Sequence, residues 1–445
     1  IQDNDTATLP TVTVSATDAT ASEPGTDTGT FTFTRTGATT AALTVNFTVS
    51  GTATSGSDYT SIGTSVTIAA GSAGATKVVT PINDAAVEGD ETVVATIASN
   101  AAYTVGSPGA TAVTIQDNDG SSFPGATWPP VDATGWDAAK LTAAKNYASS
   151  LDPFGLMVVE DGRVIATLGS TSTKTSLYSV RKSLLSALYG TAVASGAINI
   201  QATVGALGID DTPPSLTAIE KTATVQFLLQ ARSGIYHDAA YETASMAASR
   251  PARGSHAPGT FWYYNNWDFN ALGTIYAQET GESIGRGFAN RIGQPTDMEH
   301  FVETDVNLNY DPESVHPAYL FKMTIRDMSR LGLLMLNKGN WNGQQVIPAS
   351  WVTESTKTWT PNADGSMGYG YLWWTMPENV GSSSSVGSQY IGPGAYTAAG
   401  NGGQRITVIP FHRLVVTMTV DNAANPTGIS RTQMYNIVAM LVAAK

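Results

Sequence analysis

The sequence predicts two domains: an antiparallel β-sandwich over residues 1–119, and an α/β (α+β) domain over residues 137–445 in which helices flank an antiparallel sheet. Runs of alternating apolar and hydroxyl residues fill the first part of the chain. Strand-like segments enclose a long helical region in the last part. Between them, residues 120–136 are rich in Gly and Pro without periodicity, which is typical of a linker. A chain of 445 residues is also too long for one ordinary core.

A repeated pentapeptide defines the first domain. Ile-Gln-Asp-Asn-Asp occurs at residues 1–5 and again at 115–119. We interpret residues 1–5 as the tail of a preceding repeat, so that one unit lies between two copies of its own ending. Within it, Thr-Phe-Thr-Phe-Thr at 30–34 and Leu-Thr-Val-Asn-Phe at 43–47 alternate every second residue, and Gly, Pro and Asp stand at the breaks. This pattern predicts the β-sandwich.

Charge and composition narrow the classes of function. Residues 1–119 contain nine Asp and three Glu but one Lys and one Arg, so they hold most of the net charge of −13. Such a surface repels nucleic acid and suits divalent cations, and we therefore expect no nucleic-acid partner. No apolar run approaches the ~18–20 residues that span a bilayer, which predicts no membrane span. The absence of cysteine excludes disulfides and a cysteine nucleophile.

Acidic side chains recur at the predicted loop ends of the sandwich. Glu23 stands in Glu-Pro-Gly and Asp58 in Gly-x-Asp-Tyr, and further carboxylates follow in Ile-Asn-Asp at 82–84 and Glu-Gly-Asp-Glu at 88–91. Converging carboxylates supply the six to eight oxygens that Ca²⁺ prefers, at roughly 2.3–2.6 Å. The alternative for scattered carboxylates is an ordinary solvated acidic surface.

The order of these motifs, closed by Ile-Gln-Asp-Asn-Asp, resembles the Calx-β domain over residues 6–119. That resemblance implies calcium binding at one end of the sandwich. Because Calx-β domains occur mostly in surface or secreted proteins, it also implies an extracellular or cell-surface location of bacterial type. The candidate ligands implied by the resemblance are Glu23, Asp58, Asp84, Glu88, Asp117 and Asp119.

The second domain has strands at both ends and helices between them. A hairpin with an Asp-Gly turn is predicted over 156–166, and mainly helical stretches continue to about residue 360. Strands are predicted at 370–374, 404–409 and 414–418, followed by an apolar helix over 434–441. This order predicts one antiparallel sheet that both ends of the domain complete.

Ser179 and Lys182 begin a segment with helical spacing of its apolar residues. Residues i and i+3 of a helix share one face, so the lysine amine should lie beside the serine hydroxyl. A serine becomes a good nucleophile only when a base takes its proton, and a desolvated lysine can do so because burial disfavours its charged form. The alternative is an ordinary helix-starting serine with a surface lysine.

A Tyr-x-Asn motif, Tyr264 and Asn266, follows Pro-Gly-Thr at 258–260. A tyrosine at this position can relay a proton between nucleophile and leaving group, and the asparagine can hydrogen-bond a substrate carbonyl and the lysine. The alternative is an aromatic cluster that only packs in the core.

A glycine-rich stretch at 398–404 enters a predicted strand and contains Gly400, Asn401 and Gly402. A strand edge with little side chain lets an acyl group lie against the backbone, whose N–H can join that of the nucleophile in an oxyanion hole. The alternative is an ordinary glycine loop.

Together, these three motifs resemble the serine hydrolases of the class C β-lactamase, penicillin-binding protein and family VIII carboxylesterase superfamily, from about residue 137 to the end. The domain is also similar to 6-aminohexanoate-oligomer hydrolases. The resemblance implies an acyl-enzyme on Ser179, with Lys182 and Tyr264 as general base and then acid. It further implies that the amides of Ser179 and Asn401 are oxyanion donors and that the chemistry needs no cofactor.

One departure concerns the substrate. Penicillin-interacting relatives place Lys or His before Thr-Gly or Gly-Gly, whereas this chain has Ala398-Ala399-Gly400. The missing cation argues against efficient recognition of a β-lactam and favours a small ester or linear amide, oligomeric substrates included. One alternative is a DD-peptidase or weak β-lactamase of the same fold. Another is a binding or adhesion protein with an inactive hydrolase-like domain.

Overall fold

The chain divides into two compact units, Ile1–Ser122 and Phe123–Lys445. In the ranges that the structure covers, no helix is both long and apolar enough to cross a membrane. The structure is a computed structural model that describes residues 9–23, 27–83, 90–117, 123–212, 214–361, 367–381 and 386–445.

The first unit is a sandwich of two sheets. Its strands are β1 (Thr11–Asp18), β2 (Thr20–Ser22), β3 (Gly29–Thr36), β4 (Leu43–Gly51), β5 (Ser65–Ile68), β6 (Gly74–Val79), β7 (Glu91–Ile97), β8 (Thr104–Val105) and β9 (Ala110–Gln116). One sheet has the order β6-β3-β1-β8 and the other β2-β9-β7-β4-β5. Neighbouring strands are antiparallel except β1 with β8 and β2 with β9. The predicted β-sandwich is confirmed.

The core of this unit lies between the two sheets. Along β3 and the first half of β4 every second residue is buried, as the alternating pattern predicts. Phe33 from one sheet and Phe47 from the other meet there, with ring centroids 4.9 Å apart. Each buried aromatic contributes about 1.5–3 kcal/mol through the apolar area that it removes from water.

The second unit has fifteen described strands, eight of which form its main sheet. Its strands are β10 (Gly155–Glu160), β11 (Arg163–Gly169), β12 (Thr175–Ser176), β13 (Val306–Asp311), β14 (Ser314–Met323), β15 (Asn340–Trp341), β16 (Gln344–Gln345), β17 (Thr360–Pro361), β18 (Gly368–Tyr369), β19 (Trp374–Thr375), β20 (Asn379–Val380), β21 (Gln389–Tyr390), β22 (Tyr396–Ala399), β23 (Arg405–Ile409) and β24 (Leu414–Thr419). The order β11-β10-β24-β23-β22-β19-β18-β17 is antiparallel throughout, so both ends of the domain complete one sheet as predicted.

Helices cover both faces of this sheet. They are α1 (Ala138–Ser150), α2 (Val180–Ala194), α3 (Val225–Leu229), α4 (Ala244–Ser249), α5 (Asn266–Thr280), α6 (Ile284–Phe288), α7 (Ile325–Leu336), α8 (Ala349–Ser355) and α9 (Arg431–Ala444). Successive residues of a strand point to opposite faces, and β10 shows this directly. Val158 joins the core formed with α1 and α9, whereas Val159 joins the core formed with α2 and α7. Helices flanking an antiparallel sheet are therefore confirmed.

Local predictions in this unit hold to different degrees. The hairpin is present, and Asp161 and Gly162 have φ of 45° and 79°, as a type I′ turn requires. The stretch predicted as a strand at 370–374 is largely a turn between β18 and β19. The physical reason is that the N–H groups of Tyr371 and Leu372 donate to carbonyls at the C-terminal ends of α8 and α3 instead of to a neighbouring strand.

The segment predicted as a linker, 120–136, differs from that prediction where it is described. Residues 123–136 fall within the second unit. The indole N–H of Trp128 donates to the Arg326 carbonyl at 3.1 Å, and that of Trp136 donates to the Glu160 carboxylate at 2.8 Å. Both indoles are buried, so the apolar surface that they remove from water holds residues 123–136 against the second unit, although their Gly and Pro content predicts a flexible linker.

Candidate active site

Ser179 stands immediately before the first residue of α2. β12 pairs with β14 just upstream and fixes the approach of the chain. Tyr178 then takes φ of 49°, a left-handed conformation that costs a non-glycine residue about 1–2 kcal/mol. The tight turn that results presents the Ser179 side chain at the end of a helix whose remaining residues are mostly buried.

Lys182 lies one helical turn after Ser179, with its Nζ 2.9 Å from the Ser179 Oγ. The lysine is 2% exposed, and the rings of Tyr264 and Phe269 lie 4.5 and 4.7 Å from Nζ. In the described part of the chain no carboxylate pairs with it. Burial lowers the pKa of Lys182 well below its usual 10.5, and the charge of Arg181 lowers it further. The site therefore favours the neutral amine, which is the form that can act as a base.

Tyr264 is the third residue of the group formed with Ser179 and Lys182, and it comes from the segment that precedes α5. Its Oη lies 2.7 Å from the Lys182 Nζ. The ring stacks on Trp374 at 5.5 Å between centroids and packs against Phe269, so its position is set by aromatic contacts. Burial raises the pKa of Tyr264, although a hydrogen bond with Ser179 opposes part of this rise. The phenol is thus protonated at neutral pH, which suits it to pass a proton on.

The glycine-rich stretch brings backbone amides beside Ser179. A Cβ at Gly400 would lie 2.5 Å from the Leu177 carbonyl, so only glycine allows this approach to the nucleophile turn. The Gly400 N–H donates to the Gln404 carbonyl at 2.9 Å and is therefore occupied. The N–H groups of Ser179 and Asn401 donate to no group in the part of the chain described. They are the amides that the resemblance implies as oxyanion donors.

Two predicted substrate contacts have other partners in the structure. Asn265 caps α5, which makes Asn266 the first helical residue, and the Asn266 amide donates to the Tyr241 carbonyl at 2.8 Å. Gly402 lies beyond the turn, where its carbonyl accepts the Ile429 N–H at 2.9 Å. Neither residue lines the cavity, whereas Gly400 and Asn401 do.

A cavity of about 620 Å³ opens over this constellation. Ser179 and Tyr264 line it, and Met246, Trp374 and Met434 contribute apolar side chains to its lining. Sequence reasoning missed two arginines that also line it. They are Arg405 and Arg431.

A second serine motif lies outside the cavity. Gly-Glu-Ser-Ile-Gly at 281–285 fits the Gly-x-Ser-x-Gly pattern of another hydrolase class. Its Ser283 caps α6 by accepting the Arg286 N–H and donates to Glu303 at 3.1 Å. No histidine among the described residues contacts Ser283. This serine therefore caps a helix and lacks the base that a nucleophile needs.

The predicted calcium ligands fall partly outside the described residues, since Asp84, Glu88 and Asp119 are not among them. The others approach one end of the sandwich: Glu23 and Asp117 directly follow the paired residues Ser22 and Gln116. Asp58 shares a hydrogen bond with Glu91, at the start of β7. No group of three acidic or histidine side chains within the described ranges is arranged to hold a metal. The described carboxylates alone therefore do not make a site.

Comparisons with known proteins agree with both domains. Residues 154–434 match the beta-lactamase family model, and residues 4–119 match that of the Calx-beta domain. Among curated proteins, none matches this chain.

Solved structures share the fold of the second unit. A Bacillus anthracis protein assigned as a 6-aminohexanoate-dimer hydrolase is 18% identical, with a TM-score of 0.51 over 72% of this chain and 86% of its own. A family VIII carboxylesterase is 15% identical, with a TM-score of 0.50 over 71% and 99%. A class C beta-lactamase is 16% identical, with a TM-score of 0.47 over 71% and 98%.

Proposed function

Because this chain belongs to the beta-lactamase family, whose members with this fold are serine hydrolases, we propose that it cleaves carboxylic esters or linear amides through an acyl-enzyme on Ser179. The observation that carries the proposal is the placement of the Lys182 Nζ between the Ser179 Oγ, at 2.9 Å, and the Tyr264 Oη, at 2.7 Å. A buried, neutral amine within hydrogen-bonding distance of a serine is the arrangement that nucleophilic catalysis needs.

In the proposed acylation step, the Ser179 Oγ attacks the substrate carbonyl carbon while its proton passes to the Lys182 Nζ. The carbonyl oxygen becomes an oxyanion held by the N–H groups of Ser179 and Asn401. Collapse of this intermediate breaks the bond to the leaving group, which takes a proton through Tyr264. Water then repeats the sequence on the acyl-serine, releases the acid and restores the Ser179 hydroxyl.

The absence of a cation at Ala398 favours esters and linear amides over β-lactams. The alternative, a DD-peptidase or weak β-lactamase, predicts rapid acylation of Ser179 by a fluorescent penicillin. We expect this acylation to be slow compared with turnover of a simple aryl ester. Fast, stoichiometric penicillin labelling would favour the alternative.

Labelling with a fluorophosphonate probe tests the proposed nucleophile. We expect a single adduct by intact mass, which maps to the tryptic peptide 175–181 and fragments to Ser179 rather than Ser176. The control is Ser179→Ala, which should take no label. Adducts on Ser245 or Ser283 would refute the assignment. The absence of any adduct would instead favour a binding or adhesion protein with an inactive domain.

We also propose that the first unit binds calcium and, on the Calx-beta match, that the protein acts at or outside the cell surface. Glu23, Asp58 and Asp117 would contribute donors from the described part, and the remaining predicted donors are Asp84, Glu88 and Asp119. The ion would be structural, so no catalytic step depends on it.

Calcium is expected to stabilise the first unit. At about 100 times its Kd, a ligand that binds only the folded state raises the free energy of unfolding by about 2.7 kcal/mol. Calorimetry of the whole chain with Ca²⁺, with an equal concentration of Mg²⁺ and with chelator would measure the shift. Glu23→Gln should reduce it. Equal transitions in Ca²⁺ and Mg²⁺ would count against a specific calcium site.

A further inference from the structure

Two arginines face the cavity, and no carboxylate in the described part of the cavity wall balances them. Arg405 and Arg431 both line it, and the other described lining residues are apolar or uncharged. Neither arginine forms an ion pair with a described carboxylate. Two other partly buried arginines of this unit do have such a partner: Arg253 contacts Glu220, and Arg326 contacts Glu299.

Arg405 is held in place by the backbone of the glycine-rich turn between β22 and β23. It pairs with Ala399 in the ladder between β22 and β23. Its Nη1 donates to the Gly400 carbonyl at 2.9 Å and to the Gln404 carbonyl at 2.8 Å. Nε and Nη2 donate to no group in the part of the chain described. The guanidinium is therefore oriented before substrate arrives, with N–H donors left over.

Arg431 adds a second charge from the first residue of α9. Its side chain is exposed and makes no hydrogen bond or ion pair within the described ranges. Burial, with a smaller contribution from the nearby charge of Arg431, lowers the pKa of Arg405 to about 10, so Arg405 is still a cation at neutral pH. Two like charges beside one cavity destabilise the empty site, and an anion would relieve this.

We propose that Arg405, assisted by Arg431, binds a carboxylate of the substrate, so that the enzyme selects esters or amides that carry a free acid. This inference rests on the proposed hydrolase function and names the class of its substrates. A planar guanidinium can bind a carboxylate through two parallel N–H donors, which gives orientation as well as affinity. The anion is thus held by an arginine of β23, whereas Ala398 of β22, where penicillin-interacting relatives place Lys or His, carries no charge.

Matched ester pairs test this selectivity. 4-Nitrophenyl hydrogen adipate and its methyl ester differ in a charge on the acyl side. 3-Acetoxybenzoate and its methyl ester differ in a charge on the leaving-group side. We expect kcat/KM to favour the anionic member of one pair by about 10- to 100-fold, the range of a charge-assisted hydrogen bond. The pair that shows the preference identifies the side on which the carboxylate lies.

Variants then assign the preference to the arginines. Arg405→Gln should bring the ratio within each pair close to one. Arg431→Gln, which breaks no described contact, should lower it about threefold to tenfold, because solvent screens an exposed charge. Arg286→Gln is the matched control, since this exposed arginine lies outside the cavity and should leave the ratio unchanged.

The outcomes separate the two proposals. Hydrolysis of the neutral esters and labelling of Ser179, without a preference for either anionic ester, would overturn the carboxylate site and leave the hydrolase function standing. A preference that survives both arginine variants would also overturn it. Failure to label Ser179 or to hydrolyse any ester would overturn both proposals. Protection of wild-type Ser179 from labelling by adipate, weakened in Arg431→Gln and lost in Arg405→Gln, would support the site without relying on turnover.

Discussion

Replacing Lys182 with methionine is expected to lower kcat/KM for ester hydrolysis by about 10⁴-fold, the upper range for loss of a general base. The Lys182 Nζ lies within 3 Å of both the Ser179 Oγ and the Tyr264 Oη, at 2.9 and 2.7 Å, so methionine removes the proton acceptor of acylation. Steady-state kinetics with a 4-nitrophenyl ester would measure the loss. Lys140→Met is the control, because that exposed lysine pairs with Asp137 and with no other carboxylate among the described residues.

The same substitution is expected to stabilise the fold by about 1–2 kcal/mol at pH 7. Burial depresses the pKa of Lys182 in the folded protein below the 10.5 of the unfolded chain. At a pH between these two pKa values, the unfolded chain binds a proton at this position and the folded chain does not. The stability of the wild-type protein therefore rises with pH across this window. The advantage of Lys182→Met should shrink towards pH 10 in denaturant titrations.

The pH dependence of catalysis follows from the same group. Activity requires neutral Lys182, so kcat/KM should rise with pH through a pKa well below that of an ordinary lysine. A variant that is less stable than the wild type would contradict the predicted stabilisation. A rise in kcat/KM that begins only near pH 10 would show that the amine is charged in the folded protein. Lys182 could not then be the resting-state base.

Replacing Tyr264 with phenylalanine is expected to lower kcat by about 10²- to 10³-fold with little change in KM. Phenylalanine keeps the stacking on Trp374 and the contact with Phe269 but removes the Oη that lies 2.7 Å from the Lys182 Nζ. The loss should be larger for alkyl esters than for 4-nitrophenyl esters, because a poor leaving group depends more on the proton that Tyr264 supplies.

Tyr263→Phe is the matched control for this variant. The Tyr263 hydroxyl donates to the Met246 carbonyl at 2.8 Å and has no contact with Lys182. We expect its kcat to stay within a few-fold of the wild type. Equal losses in the two variants would point to a general disturbance of the aromatic cluster, and full activity of Tyr264→Phe would assign proton transfer to Lys182 alone.

Parts of the site could be predicted because local geometry decides them. The neighbourhood of Ser179 and Lys182 follows from helical spacing, and the turn at Asp161 and Gly162 follows from backbone chemistry. Tyr264 is different. It reaches Lys182 only through tertiary packing, so its place came from resemblance to a family and not from spacing along the chain.

The remaining features depended on competition between neighbours or on strand register. Asn266 points towards the Tyr241 carbonyl because Asn265 takes the helix cap. Arg405 is visible in the sequence, but its place opposite Ala399 depends on the pairing of β22 with β23, which no local pattern fixes. Composition also gave a wrong prediction. The Gly and Pro content of residues 120–136 predicted a linker, but Trp128 and Trp136 bind the described part of this segment to the second unit.

The pairing of β10 with β24 has a consequence for how the second unit folds during synthesis. Gly155 is registered with Thr419, so the centre of the sheet joins segments from opposite ends of the domain. Closing such a large loop costs entropy before the contacts repay it, which gives slow folding with high contact order. During synthesis, β10 therefore keeps one edge open until β24 has left the ribosome. Asn401, the proposed oxyanion donor after β22, also emerges long after Ser179, so a partial chain that ends before it cannot assemble the proposed active site.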